Sequence, residues 1–172
     1  IKLAYLYRER LISLVTNWMR VGYCQGNFNS DNCAAGGFTL DYGPFGFCEL
    51  FDPKFQPWTG GGEHFSFFNQ PFAAEINFKM FCASLRPLLL ENKEDIEKLE
   101  QIKKDFSKSM EKEMQLMWAK KIGLENYEEA LINELFNLMV ISKADFTIFF
   151  RKLSHIPKNI SLLKDSFYLV LT

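Results

Sequence analysis

The residue types that most often build metal and acid–base centres are scarce in this chain: 172 residues contain 2 His and 4 Cys. His64 and His155 stand far apart in sequence, and each is expected to be a surface or hydrogen-bonded residue, not a ligand. Cys24, Cys33, Cys48 and Cys82 form no CxxC pair, which excludes the usual structural-zinc spacing and a stapled disulfide framework. Cys24 and Cys33 are expected to be buried, inert thiols. An excess of charge is also missing: 20 Lys and Arg against 21 Asp and Glu leave −1. That balance excludes a general attraction for nucleic acid or an anionic membrane, so any phosphate is bound locally. No apolar run approaches the roughly 18 residues that cross a bilayer, so no membrane partner is expected and the piece reads as soluble. Gly60-Gly61-Gly62 lacks the Gly-Lys-Ser/Thr of a phosphate loop and runs into Glu63, which would repel the anion.

What is abundant is apolar volume. Hydrophobic residues make up 48% of the chain and aromatic residues 16%, with 18 Phe. A chain of this length buries roughly two-thirds of the surface its unfolded form exposes, so a single domain over residues 1–172 with one large core is expected. The first residue is Ile1, and the chain ends on the apolar Tyr168-Leu169-Val170-Leu171 before Thr172, so both ends are expected to continue into something longer.

Periodicity divides the chain into three. Leu3, Tyr7, Leu11, Leu14, Val15 and Trp18 recur at three- and four-residue steps, which predicts a leading helix over residues 1–22 that Gly22 terminates. From residue 23 to 70 that period vanishes and Gly, Asn, Asp, Pro and Phe dominate; only Cys33 to Leu40 suits a short β-hairpin, turning at Gly36-Gly37. Residues 71–172 read as helical. Pro71 suits a first turn, and a buried helix over Ala73 to Leu90 is bent or ended by Pro87. One long amphipathic helix carries Ile96, Leu99, Ile102, Phe106, Met110, Met114 and Met117, with Lys and Glu on its solvated face. Shorter helices are expected at Glu128 to Ile141 and Ala144 to Leu153, then a break at Ile156-Pro157. The fold class is therefore mainly α with a small β-hairpin, without the strand–helix alternation of a parallel sheet. Asn69-Gln70-Pro71 either caps a helix or touches the loop region from behind; the structural, capping role is preferred.

The chemistry-bearing residues lie between Gln25 and Gly43. Nucleotide transfer needs a divalent metal held against phosphates by hard oxygen ligands and a group that takes a hydroxyl proton. Protein kinases supply the ligands from a catalytic-loop Asn and an Asp-Phe-Gly turn, with the base Asp five residues before the Asn. Here Asn32, followed nine residues later by Asp41-Tyr42-Gly43, reproduces the ligand pair. The base position holds Asn27, and an amide cannot accept a proton near neutral pH, so an ordinary kinase is disfavoured. Asp31 is the remaining carboxylate in the catalytic part of the loop.

Two runs, Gly22-Tyr23-Cys24-Gln25-Gly26-Asn27-Phe28-Asn29-Ser30-Asp31-Asn32 and Thr39-Leu40-Asp41-Tyr42-Gly43-Pro44-Phe45-Gly46-Phe47, resemble the selenoprotein O family, which usually shows G-F-x-H-G-V-M-N-T-D-N and T-I-D-Y-G-P-F-G-F at this spacing. Asp52-Pro53, Phe68-Asn69-Gln70-Pro71, Ala119 to Leu124 and Ala144 to Ser154 continue the likeness. The resemblance implies the C-terminal lobe of a protein-kinase-like fold and a magnesium-dependent protein adenylyltransferase, moving AMP from ATP to Ser, Thr or Tyr hydroxyls of proteins. It implies Asp31 as proton acceptor, Asn32 and Asp41 as magnesium ligands, and Asp41 close to the nucleotide phosphates. A glycine-rich strand and a Lys–Glu pair would precede Ile1, so the piece alone is expected to be inactive. The compartment, not readable from these residues, is expected to be mitochondrial in a eukaryote and cytoplasmic otherwise. Gln25, Asn27 and Phe28 stand where the family usually has His, Val and Met, which keeps a second reading open: a catalytically silent pseudokinase that binds a nucleotide or a partner protein.

Overall fold

The computed structural model describes residues 1–169; Val170, Leu171 and Thr172, the end of the expected last segment, lie outside the described residues. The chain is mainly helical with one two-stranded antiparallel sheet. Helix α1 (Lys2–Val21) leads into β1 (Tyr23–Gln25), which pairs with β2 (Phe45–Phe47). Helices α2 (Gln70–Leu85), α3 (Lys93–Lys104), α4 (Phe106–Lys121), α5 (Glu129–Ile141) and α6 (Phe146–Leu153) follow, with short 3-10 turns between. Among the described residues no helix is long and apolar enough to cross a membrane.

Tyr7, Leu11, Val15 and Trp18 of the predicted face point into the core, joined by Ala4, whereas Leu3 is exposed and Leu14 half-buried. There α1 packs on α2 and α4. Gly22 ends the helix in the left-handed conformation, φ 77°, returning its N–H to the Met19 and Trp18 carbonyls. The same residue is closely approached, since a Cβ there would lie 2.8 Å from Cδ1 of Phe146. Its carbonyl accepts the Cys48 amide at 2.7 Å, so the helix stop also anchors the chain leaving β2.

One continuous core holds these elements together, and Phe supplies much of its volume. Phe28, Phe67, Phe78, Phe106 and Phe146 are among the largest fully buried side chains. Burying each contributes about 2–3 kcal/mol before conformational entropy is set against it. Phe78 stacks on Phe106 at 5.0 Å, which fastens α2 to the start of α4, while Phe51 and Phe67 meet Phe146 at 5.9 and 5.8 Å and bring the loop region onto α6.

Four expectations are corrected. Cys33 to Leu40 is not the hairpin: it closes through a single Cys33–Thr39 bridge, and the sheet forms instead between residues 23–25 and 45–47. Tyr23 and Cys24 are buried on both faces, and a strand without alternation leaves no period-two signal. The predicted helix to Leu90 gives way after Leu85 to a 3-10 turn, Arg86–Leu89, where Pro87 lacks the amide an α-helix would need. The long amphipathic helix is two. Asp105, whose carboxylate accepts from the Gln101 amide at 2.8 Å, sits at the break with ψ −7°. Finally, α6 begins at Phe146 because Ala144 bridges to Phe167 and Asp145 serves as the N-cap, its Oδ1 accepting the Ile148 amide at 2.7 Å.

Gly22→Ala is expected to lower stability by about 2–4 kcal/mol, combining a left-handed backbone with a clash against Phe146. Urea unfolding measures it; an unchanged midpoint would mean that the turn relaxes without cost.

Candidate functional site

The loop that carries Asp31, Asn32 and Asp41 is the connection between β1 and β2. Its neck is closed by the ladder Tyr23–Phe47, Cys24–Gly46 and Gln25–Phe45, and by the Gly26 amide donating to the Pro44 carbonyl at 2.7 Å. That approach requires glycine, since a Cβ on Gly26 would lie 2.4 Å from the same oxygen. Past the neck, Phe28 drops into the core with its ring 5.0 Å from Trp18, fixing the backbone that follows.

Ser30–Asn32 then makes one 3-10 turn, with the Asn32 amide on the Asn29 carbonyl at 3.0 Å. Asp31 is exposed on this turn. Asn32 is half-buried and commits its Nδ2 to the Asn27 carbonyl at 2.9 Å, which leaves Oδ1 as the ligand-capable atom. The chain reverses at Ala34–Gly37 and returns through the Cys33–Thr39 bridge. Trp18 Nε1 donates to Thr39 Oγ1 at 2.9 Å, tying this return to α1. The bridge pairs Cys33, the residue after Asn32, with Thr39, two residues before Asp41. Asp41 is half-buried and its Oδ1 accepts the Gly43 amide at 3.0 Å, an Asx turn that holds the carboxylate.

Behind the loop stands a layer of buried polar side chains that the sequence did not reveal as such. Gln70 is fully buried; its Oε1 accepts the Gln25 amide at 2.8 Å, and its Nε2 donates to the Tyr23 carbonyl at 2.9 Å and the Phe67 carbonyl at 3.2 Å. It is thus a clasp on β1, and no side-chain cap bond forms at this helix start, contrary to the expected capping role. One layer further along α2, Asn77 donates to the Phe28 carbonyl at 2.8 Å and accepts from Ser30 Oγ at 2.9 Å. Tyr7 OH meets Cys33 Sγ at 3.0 Å from α1. The available signal was spacing: Gln70 and Asn77 lie seven residues apart, on the face that also carries Ala73, Ala74 and Phe78.

Burial dominates the electrostatics. The Tyr23 phenol is pushed well above its ordinary range by burial, then by Tyr42 and the Asp41 carboxylate nearby, and it stays a neutral donor to Gln25 Oε1. Gln25 Nε2 has no hydrogen-bond partner although the residue is 1% exposed. Burial also pushes the Cys24 thiol up to about 12 and the Cys48 thiol up to about 11.

Among the described residues no group of three or more His, Cys, Asp or Glu side chains gathers to hold a metal. Asn32 Oδ1 and the Asp41 carboxylate are hard oxygen donors with local hydrogen bonds that orient them, a set that suits magnesium. Magnesium takes the rest of its shell from water and phosphate oxygens, so two protein ligands fit.

The family model described as "Protein adenylyltransferase SelO" matches residues 4–170. The chain is similar to proteins named "Protein nucleotidyltransferase YdiU". That of Aromatoleum aromaticum is 33% identical over 168 residues, covering 93% of this chain and 31% of that protein. That of Flavobacterium johnsoniae is 34% identical over 156 residues, covering 88% and 29%, and that of Brevibacillus brevis 38% over 152 residues, covering 85% and 31%. The chain therefore spans less than a third of the length of these relatives.

Gln70→Ala strands the Gln25 amide and the Tyr23 carbonyl without partners and is expected to cost about 2–3 kcal/mol. Amide exchange at Gln25 should speed up with it; unchanged exchange would show that the ladder alone holds β1. Alkylation requires the thiolate, so Cys24 and Cys48 should resist iodoacetamide at pH 8 until the protein is unfolded. Rapid native-state labelling of either would contradict their burial.

Proposed function

Because the chain belongs to the Protein adenylyltransferase SelO family, we propose that in the full-length protein its loop serves transfer of AMP from ATP to a Ser, Thr or Tyr hydroxyl of a protein. What supports this reading is the family match together with the way each oxygen donor is held: Asn32 Nδ2 is committed to the Asn27 carbonyl, and the Asp41 carboxylate accepts the Gly43 amide.

In the proposed mechanism Asp31, exposed at the tip of its turn, accepts the proton of the incoming hydroxyl. The hydroxyl oxygen forms a bond to the α-phosphorus, the bond from that phosphorus to the β-phosphate bridge breaks, and pyrophosphate departs. Asn32 Oδ1 and the Asp41 carboxylate would hold magnesium, which would supply charge neutralisation at the phosphates. The Asx turn at Gly43 and the Asn27 contact keep both ligands in place before the substrate arrives. Asn27, five residues before Asn32, cannot act as the kinase base, which leaves Asp31 for that role on this reading. On this reading residues 1–172 are the C-terminal lobe of a kinase-like fold, and the piece alone transfers nothing.

The full-length protein, given ATP labelled at the α- or the γ-phosphate with a protein acceptor, is expected to retain the α label only. Asp41→Ala should abolish transfer and Asp31→Ala should slow it by about 10²–10⁴-fold while leaving magnesium-dependent ATP binding intact. Retention of the γ label alone would make the protein a kinase. ATP binding with no transfer would make it a silent nucleotide-binding lobe, the reading that Gln25, Asn27 and Phe28 keep open.

A further inference from the structure

The last turns of α1 and α4 meet α6 and the end of β2 along an open groove of about 570 Å³. Arg20, Lys121 and Arg151 line it from three different helices, with Thr147, Phe47 and Phe150 between them and no carboxylate. For a chain of net charge −1 this is a local concentration of one sign. None of the three cations takes part in the ion pairs of the described residues. Lys121 is held in place without an anion: its Nζ lies 4.0 Å from the centroid of Phe150 and 4.9 Å from that of Phe146, and it donates to the Arg20 carbonyl at 2.6 Å. Burial, and then the charge of Arg20, push its pKa down to about 8. A neighbouring negative charge would relieve that cost.

The groove does not stand alone. Phe47, 56% exposed, is its rim, and Phe45 at 40% and Tyr42 at 65% continue an uncovered row of rings toward Asp41. Tyr42 meets Phe45 at 5.7 Å, and the buried Tyr23 contacts both Phe45 and Phe47 at 5.6 Å from below, which makes the row a firm surface. Exposed rings in a continuous row mark a surface that a partner covers. Guanidinium forks beside them take a carboxylate in bidentate geometry. A polypeptide with acidic and apolar side chains satisfies both features, whereas an inorganic anion would use only the first.

We propose that this ring row and the basic groove form a docking track for the acceptor polypeptide, with an acidic side chain seated among Arg20, Lys121 and Arg151. This rests on the adenylyl-transfer reading and adds to it a preference of sequence. From Tyr42 to Phe47 an extended chain spans about 17 Å at most, so the probe peptide carries its acidic residues within about five positions of the hydroxyl.

The test uses the full-length protein and a fluorescein-labelled peptide of about a dozen residues, with a Glu triplet about five positions from a Ser and Leu between. Fluorescence anisotropy at low salt should show binding, about tenfold weaker when Gln replaces Glu and about tenfold weaker for the Arg20→Glu/Arg151→Glu chain. Both arginines are exposed, and circular dichroism checks that the variant folds. Phe47→Ser should weaken binding without changing the salt dependence. Equal binding of the Glu and Gln peptides, or indifference to the arginine substitutions, would overturn the proposal. So would displacement of the peptide by inorganic phosphate beyond that caused by chloride at the same ionic strength, which would mark a small-anion site. No nucleotide enters this measurement. A failure here therefore leaves the transfer reading standing, and failure of the label-transfer experiment leaves the docking result as measured.

Discussion

A single buried amide holds the strand from which the site loop departs. Gln70 enters the core at the start of α2 with no exposed surface, and its oxygen and nitrogen hold the two ends of β1, at the Gln25 amide and the Tyr23 carbonyl. A three-residue strand paired with one partner is far too small to persist alone in water. The clasp satisfies on its second edge the polar groups that β2 does not reach, and burial makes those bonds costly to break. Everything the loop does downstream assumes that β1 is where Gln70 keeps it.

The same logic repeats outward. Asn77 holds the Phe28 carbonyl and the Ser30 hydroxyl, Tyr7 meets Cys33, and Trp18 bonds Thr39. The loop thus rests on α1 and α2 through polar contacts, with Phe28 as its apolar plug. Its front face is different. Asp31, Tyr42, Phe45 and Phe47 are exposed, so the side that would meet substrate is left open while the back is satisfied. A rigid back and a bare front is the arrangement expected of a surface that waits for ligands.

Much of the fold could be read in advance where one face of a helix is buried. The spacing of Tyr7, Leu11, Val15 and Trp18 and the stop at Gly22 foretold α1 to within a residue. Legibility failed where local preference was weak. β1 is buried throughout and carries no alternation, Pro87 ended an α-helix early, and Asp105 split a pattern that runs unbroken through Phe106. At the site, the Asp31-Asn32 and Asp41-Tyr42-Gly43 pattern could be found because spacing along the chain records it. For Gln70, contact with the loop was only the less preferred of two readings, and Asn77 gave no signal, since their partners at the loop lie 45 to 49 residues away. The basic groove was equally hidden, because Arg20, Lys121 and Arg151 come from three helices with no sequence signal in common.

By itself, then, the order of residues determined the chemistry on offer: an Asp-Asn pair and an Asp-Tyr-Gly turn at fixed spacing, few other reactive groups, and helices whose periodic faces must be buried together. Tertiary structure alone decided which pieces of chain become neighbours. The strand that closes the loop, the amides that hold it from behind and the cations gathered at its flank are long-range pairings. They are selected by the shape of the core and by the need of every buried polar group for a partner, and neither condition is local in sequence.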